Sequence, residues 1–179
     1  MKLFLVQSLI LMLPAVVANS LPIVVSGLHW FEFLNVPLWE RGLGKNKTRR
    51  GLIVGLFVAA VTALLLFLFQ KRGLIGNTYF LFDYAERGLA ITLIFGIAQG
   101  AGALGMDALK SYFKRKLNRP PGSPWPPFDE LDFVGGFLIS LFFVVPPMPV
   151  TLTILLAGPL VVVLFNGLAH LVKLKKVPW

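Results

Sequence analysis

Runs without a single charged residue constrain this chain more than any other feature of it: residues 3–28, 51–70, 88–106 and 133–172. A helix of about 20 apolar residues crosses the ~30 Å hydrocarbon core of a bilayer, so each of the first three runs suffices for one crossing. The fourth is twice that length, and the PPMP at 146–149 interrupts it. Proline lacks the N–H and clashes with the preceding turn, so this run reads as two spans joined by a tight hairpin. The expected fold is an all-α integral membrane protein with five transmembrane helices, over about 3–28, 51–70, 88–106, 133–146 and 150–172. No internal repeat or long linker divides the chain, so 1–179 is read as a single polytopic membrane domain. A hydrophobic fraction of 56% with only 14% charged residues lies outside the range of a soluble domain.

The basic residues orient the spans. Loop 29–50 carries five Lys and Arg, loop 107–132 five and the C-terminal tail three; the opposite side holds only four of the 17. Thirteen against four puts the N-terminus outside, and both long loops and the C-terminus in the cytoplasm, of a multi-pass cell-membrane protein. The net charge of +9 is therefore what topology and anionic headgroups require, and no nucleic-acid partner is expected. Lys2 and the apolar stretch to Ala18 also resemble a signal peptide. Apolar character resumes at once in LPIVVSGL, so a retained first span is expected. Cysteine is absent, and His29 and His170 stand far apart, which excludes thiol chemistry and a histidine metal cluster.

Chemistry is then confined to the two cytoplasmic loops. The first ends in GLGKNKTRRG, residues 42–51, whose glycines and cations suit a phosphate cradle, although the Walker A spacing is missing. A basic collar anchoring the second span is the competing reading. In the second loop, continuation of the third span as a helix puts Asp107, Ser111, Lys114 and Arg115 on one face, at i, i+4, i+7 and i+8. That stripe is either a metal-and-phosphate surface or a snorkelling helix end. Prolines at 120, 121, 124, 126 and 127 then break the helix and return the chain to Asp129, Glu130 and Asp132 before the fourth span.

One or two of these acids would cap a helix; three are an excess, and they repel unless a divalent cation neutralises them. Mg²⁺ held by carboxylates and substrate phosphates is the usual solution. Mg²⁺ with Lys and Arg but without a strong base points to phosphoryl or nucleotidyl transfer.

The segments LPAVVANSLP, GKNKTRRG and GALGMDALKSYFKRKLNRPPGSPWPPFDELDFVGG resemble the CDP-archaeol synthase family, relatives of the CDP-diacylglycerol synthases. The resemblance covers nearly the whole chain. It implies an integral membrane cytidylyltransferase that joins CTP to a lipid phosphate, an archaeal-type diether glycerol phosphate or phosphatidic acid, and releases pyrophosphate. Asp107, Asp129 and Asp132 would be the Mg²⁺ ligands, with Lys114 and Arg115 beside them in the catalytic set. Lys45, Asn46, Lys47, Thr48, Arg50, Lys110 and Ser111 would bind CTP and the lipid phosphate. Met106 stands where the family usually has Gly, which bears on close backbone approach there. Glu130 replaces a common Gln, as a fourth ligand or a bystander, and Arg49 replaces a residue that is usually not basic.

Asn19, Gln99 and Asn166 lie within spans, either lining the pocket or bonding across helices. The other class of function, a small transporter or scaffold, fits less well. A transporter would place ionisable groups at mid-membrane, and a scaffold needs no acidic cluster. Membrane lipids are the expected surroundings, and a homodimer is compatible with this reading.

Overall fold

The computed structural model of the chain describes residues 2–120, 123, 125 and 128–171, without the side chains of residues 130, 161, 162, 165, 166 and 169. The described residues are helical apart from loops and one isolated antiparallel bridge, Pro37 to Thr48. The helices are α1 (Lys2–Gly27), α2 (Glu40–Leu43), α3 (Arg49–Lys71), α4 (Tyr84–Lys116), α5 (Asp132–Ser140) and α6 (Met148–Leu171). Of these, α1, α3 and α4 are long and apolar enough to cross a membrane, and α6 adds a shorter apolar stretch, Met148–Leu160.

The caps show why the helices start and stop where they do. Thr48 Oγ accepts the Gly51 N–H (3.2 Å) at the start of α3, and Asp83 Oδ1 accepts the Glu86 N–H (3.0 Å) at the start of α4. Helical dihedrals break at Gly88 (φ 78°, ψ 170°), so the continuous part of α4 runs from residue 89. From there to Lys116 the rise is about 42 Å, more than the hydrocarbon core, so the last turns project beyond it. The expected extension past residue 106 is therefore present. It ends at Asn118, in the left-handed conformation at φ 54°, with Asn118 N–H bonded to Arg115 O and Arg119 N–H to Lys114 O.

The fourth expected span differs most. Only residues 132–140 are helical, about 13.5 Å of rise, less than half the core. Residues 141–147 leave the helix because Pro146 and Pro147 cannot continue it and the residue before a proline is pushed out of the α region. The Ser140 carbonyl takes the N–H groups of Phe143 and Val144 (both 2.9 Å), and the prolines have no N–H to satisfy. This segment ends beside the start of α1, where Ser8 Oγ reaches Val150 O (3.4 Å) and Gln7 Nε2 donates to Thr78 O (2.8 Å).

Small residues bring the helices together. A Cβ on Gly102 would fall 2.5 Å from Gly135 O, and one on Gly135 would fall 2.1 Å from Gly102 O, so α4 and α5 touch backbone to backbone. The close approach thus occurs one turn before Met106, which lies in mid-helix with its Cβ turned toward Gly135. Gln99, fully buried, donates to Leu11 O across α4 and α1 (2.9 Å) and does not line the cavity described below. Asn19 does line it, and the Asn166 side chain lies outside the described residues.

Candidate active site

A cavity of about 1040 Å³ opens between α1, α3 and α4 at the end of the bundle where α1 finishes. All twelve site residues named from the sequence line it: Lys45, Asn46, Lys47, Thr48, Arg50, Asp107, Lys110, Ser111, Lys114, Arg115, Asp129 and Asp132. Its wall also follows α1 from Gly27 back to Ala15, about 18 Å of helix rise, and includes Val16, Ile23, Leu52 and Leu104. One cavity therefore joins a charged cluster to a mostly apolar recess along α1.

The helical stripe on α4 supplies the charged floor, and the chain returning after the prolines supplies its counterpart. Lys114 Nζ contacts Asp129 Oδ1 at 2.5 Å and donates to Ser123 O at 2.9 Å. Lys110 donates to Asp129 O (2.9 Å), lies 3.7 Å from Asp129 Oδ1 and pairs with Asp132. Lys47 reaches across from the first loop to Asp107. These pairs close the two loops over one another, which neither loop's sequence shows by itself.

The three carboxylates have different surroundings. Burial works to raise the pKa of Asp129, but the Lys114 hydrogen bond, the Trp125 N–H (2.7 Å to Oδ2) and the charges of Lys110 and Lys114 outweigh it and hold the carboxyl below its ordinary range. Asp132, at the interface before Phe133, is pushed up to about 7, first by burial and then by the charge of Asp107, against the pull of Lys110 and Lys47. Its Oδ1 is buried and lies against the Lys110 ammonium, which is its one ion-pair partner among the described residues.

This arrangement separates the expected metal ligands. Asp107 and Asp132 repel each other, and each has a lysine as counter-ion; such a carboxylate pair is a donor set suited to a hard divalent cation that completes its shell with phosphate oxygens. Asp129 is committed to Lys114 and the Trp125 amide. Among the described residues no three His, Cys, Asp or Glu side chains converge as a metal-binding group. Asp107 and Asp132 are thus the freer pair of the three expected ligands, Asp129 being the one engaged by a backbone amide, and the Glu130 side chain lies outside the described residues.

Other assignments shift in detail. Ser111 donates its one hydroxyl proton to Asp107 O (2.9 Å), and Thr48 caps α3, so both also serve the backbone. Lys45 pairs with Glu40 at 3.4 Å on the exposed surface. The Arg50 guanidinium is buried and donates to Ser26 Oγ (2.8 Å) and Trp30 O (3.2 Å), tying the end of α1 to the start of α3. The sequence reading missed the part played by Ser26, Trp30 and Trp125, because backbone and hydroxyl partners leave no charge or spacing pattern to find.

An all-helical, multi-pass membrane protein with paired carboxylates and cations lining a cavity open to apolar surface belongs to the class of membrane-embedded enzymes acting on phosphorylated lipids. The family profile of CarS-like CDP-archaeol synthases matches residues 1–179. The chain belongs to the CDP-archaeol synthase family, and is thus a CTP-dependent cytidylyltransferase acting on a lipid phosphate. It is 33% identical over 176 residues to the CDP-archaeol synthase of Methanoregula boonei, covering 94% of this chain and 100% of that one. Identity to the Methanococcus aeolicus enzyme is 31%, over 97% and 96% of the two chains, and to the Pyrococcus furiosus enzyme 35%, over 93% of each. No solved structure matches the chain significantly.

Proposed function

We propose that the chain transfers the CMP moiety of CTP to the phosphate of an archaeal-type diether glycerol phosphate, with release of pyrophosphate, at the charged end of the cavity. The supporting observation is continuity: one cavity runs from the Lys and Asp cluster to an apolar recess about 18 Å along α1. A substrate with a phosphate head and apolar chains matches both ends, and a soluble acceptor would leave the recess unused.

In the reaction a lipid phosphate oxygen forms a bond to the α-phosphorus of CTP. The bond from that phosphorus to the α–β bridging oxygen breaks, and pyrophosphate leaves with its electron pair. A phosphate monoester is already largely ionised near neutral pH, so no general base is required. Lys47, Lys110 and Lys114 lie against carboxylates in the resting arrangement and turn toward phosphate oxygens as substrate enters; Lys45 and Arg115 extend the same positive wall. Asp107 and Asp132 would hold Mg²⁺, which when bound supplies neutralisation of phosphate charge. Asp129 keeps Lys110 and Lys114 in place, and Arg50 keeps the α1–α3 junction closed at the cavity wall.

The chain crosses the membrane five times in this reading, the fourth crossing made by α5 with the turn at 141–143 and the irregular residues 144–147. In this reading the N-terminus lies outside and the site is cytoplasmic, which the thirteen-to-four division of basic residues supports. Because the chain has no cysteine, single cysteines placed at residues 45, 77 and 119 can be labelled from each side without background. Labelling of 45 and 119 from the side opposite to 77 is expected.

The activity test uses purified protein, CTP, Mg²⁺ and a panel of diether and diester lipid phosphates, with CDP-lipid and pyrophosphate both measured. Preference for the diether is expected. Absence of both products, or full activity in Asp132→Asn, overturns the assignment.

A further inference from the structure

The segment between α1 and α3 closes into a loop at its neck. Leu38 N–H donates to Lys47 O (2.7 Å), Arg49 N–H to Val36 O (2.9 Å), and Pro37 and Thr48 form the bridge between them. Inside the neck lie α2 and the basic stretch 45–48 on the cavity wall. Two side-chain ties fasten this loop to α4. One is the Lys47–Asp107 ion pair. The other is the Trp39 ring, which stacks on Tyr112 with centroids 6.0 Å apart and planes at 24°. The same ring lies so close over Gly42 that a Cβ there would fall 2.3 Å from ring atom Cε3. Trp39 is thus held between its own short helix and α4.

The two ties respond differently when an anion enters. A triphosphate competes with Asp107 for Lys47, so the ion pair is exchangeable. The stack carries no charge, and neither Trp39 nor Tyr112 lines the cavity, so it persists when substrate binds. We propose that Trp39 and Tyr112 are positioning residues for the nucleotide: their stack holds the 45–48 stretch against α4 while Lys47 exchanges Asp107 for a phosphate oxygen. Glycine at 42 is required because any side chain there would drive the ring off Tyr112. The inference rests on the reading of this cavity as the CTP site.

The test is kinetic and is done on the full chain in lipid nanodiscs. Trp39→Ala is expected to raise KM for CTP about fivefold, the equivalent of an aromatic pair of about 1 kcal/mol, with kcat and the KM for lipid phosphate within about twofold of wild type. Trp39→Phe restores the CTP KM. Gly42→Ala raises it alone and adds nothing in the Trp39→Ala background, since both changes remove one contact. An unchanged CTP KM in Trp39→Ala, an equal rise in both KM values, or additive effects of the two substitutions overturns the proposal. Limited trypsin digestion supplies a readout independent of turnover. Cleavage after Arg41 or Lys45 becomes faster in Trp39→Ala, and CTP with Mg²⁺ protects wild type more than the variant. Equal cleavage and equal protection also overturn it. Because protection needs binding and not transfer, a failed product assay leaves this arm able to decide.

Discussion

At the end of the bundle where α1 begins, Phe82 and Phe95 stack at 4.1 Å between centroids, and Phe143 meets Phe95 edge-on at 5.2 Å. At the end where α1 finishes, the same α1, α3 and α4 splay around a cavity of about 1040 Å³ lined by lysines and aspartates. The first end gains stability from dense aromatic packing; the second holds one carboxylate, Asp132, whose ionised form burial disfavours, beside another, Asp129, that its lysines and a backbone amide favour. The lesson is that packing at one end lets the other carry a buried acid, Asp132, that does not stabilise the fold.

Substitutions at the two ends should therefore separate activity from stability. The largest expected effect is on transfer: Asp132→Asn lowers kcat at least about 100-fold. Its thermal midpoint in detergent stays equal or rises, because a carboxyl pushed up to about 7 by burial and by Asp107 is costly when ionised. A large drop in midpoint would erase the contrast. Phe95→Ala is the reverse experiment. Loss of a fully buried ring should cost about 3 kcal/mol in unfolding, while kcat of the folded fraction stays near wild type.

A smaller effect divides the acids among themselves. The lowered pKa of Asp129 means that its pairing contributes stability fully present above its unfolded value near pH 4 and lost as pH falls through the folded value. Wild type should thus exceed Asp129→Asn by about 2–4 °C in midpoint at pH 7, and the gap should narrow steadily as pH falls below about 4. A gap that does not change with pH would assign the effect to shape rather than charge. The smallest effect belongs to the exposed Glu40–Lys45 pair, where Glu40→Gln should shift the midpoint by no more than about 1 °C, because solvent screens it.

Much of the site was legible one element at a time. Helical spacing alone placed Asp107, Ser111, Lys114 and Arg115 on one face, and all four line the cavity. Four of the eight acids gathered in one loop announced the other wall. Less legible were the partners. Lys47 and Asp107 are 60 residues apart, and no local pattern pairs them. Nor could spacing show that a backbone amide and two lysines hold Asp129 while burial and Asp107 disfavour the charge on Asp132, since both sit in the same short acidic run. The stack of Trp39 on Tyr112 was invisible for the same reason.

By itself the sequence determined that this is a helical membrane protein, where its long spans lie and which loops carry the charge, because continuous apolar runs of this length satisfy their backbone in hydrocarbon as helices and leave ionised groups at the edges. It also marked the prolines that end the helix before α6, though not how short α5 would be. Only the tertiary structure decided how far α5 runs, which lysine meets which carboxylate, and that the two loops close over a single cavity. Those outcomes depend on glycine contacts between helices and on ion pairs between distant segments, and such contacts form only after the spans have packed.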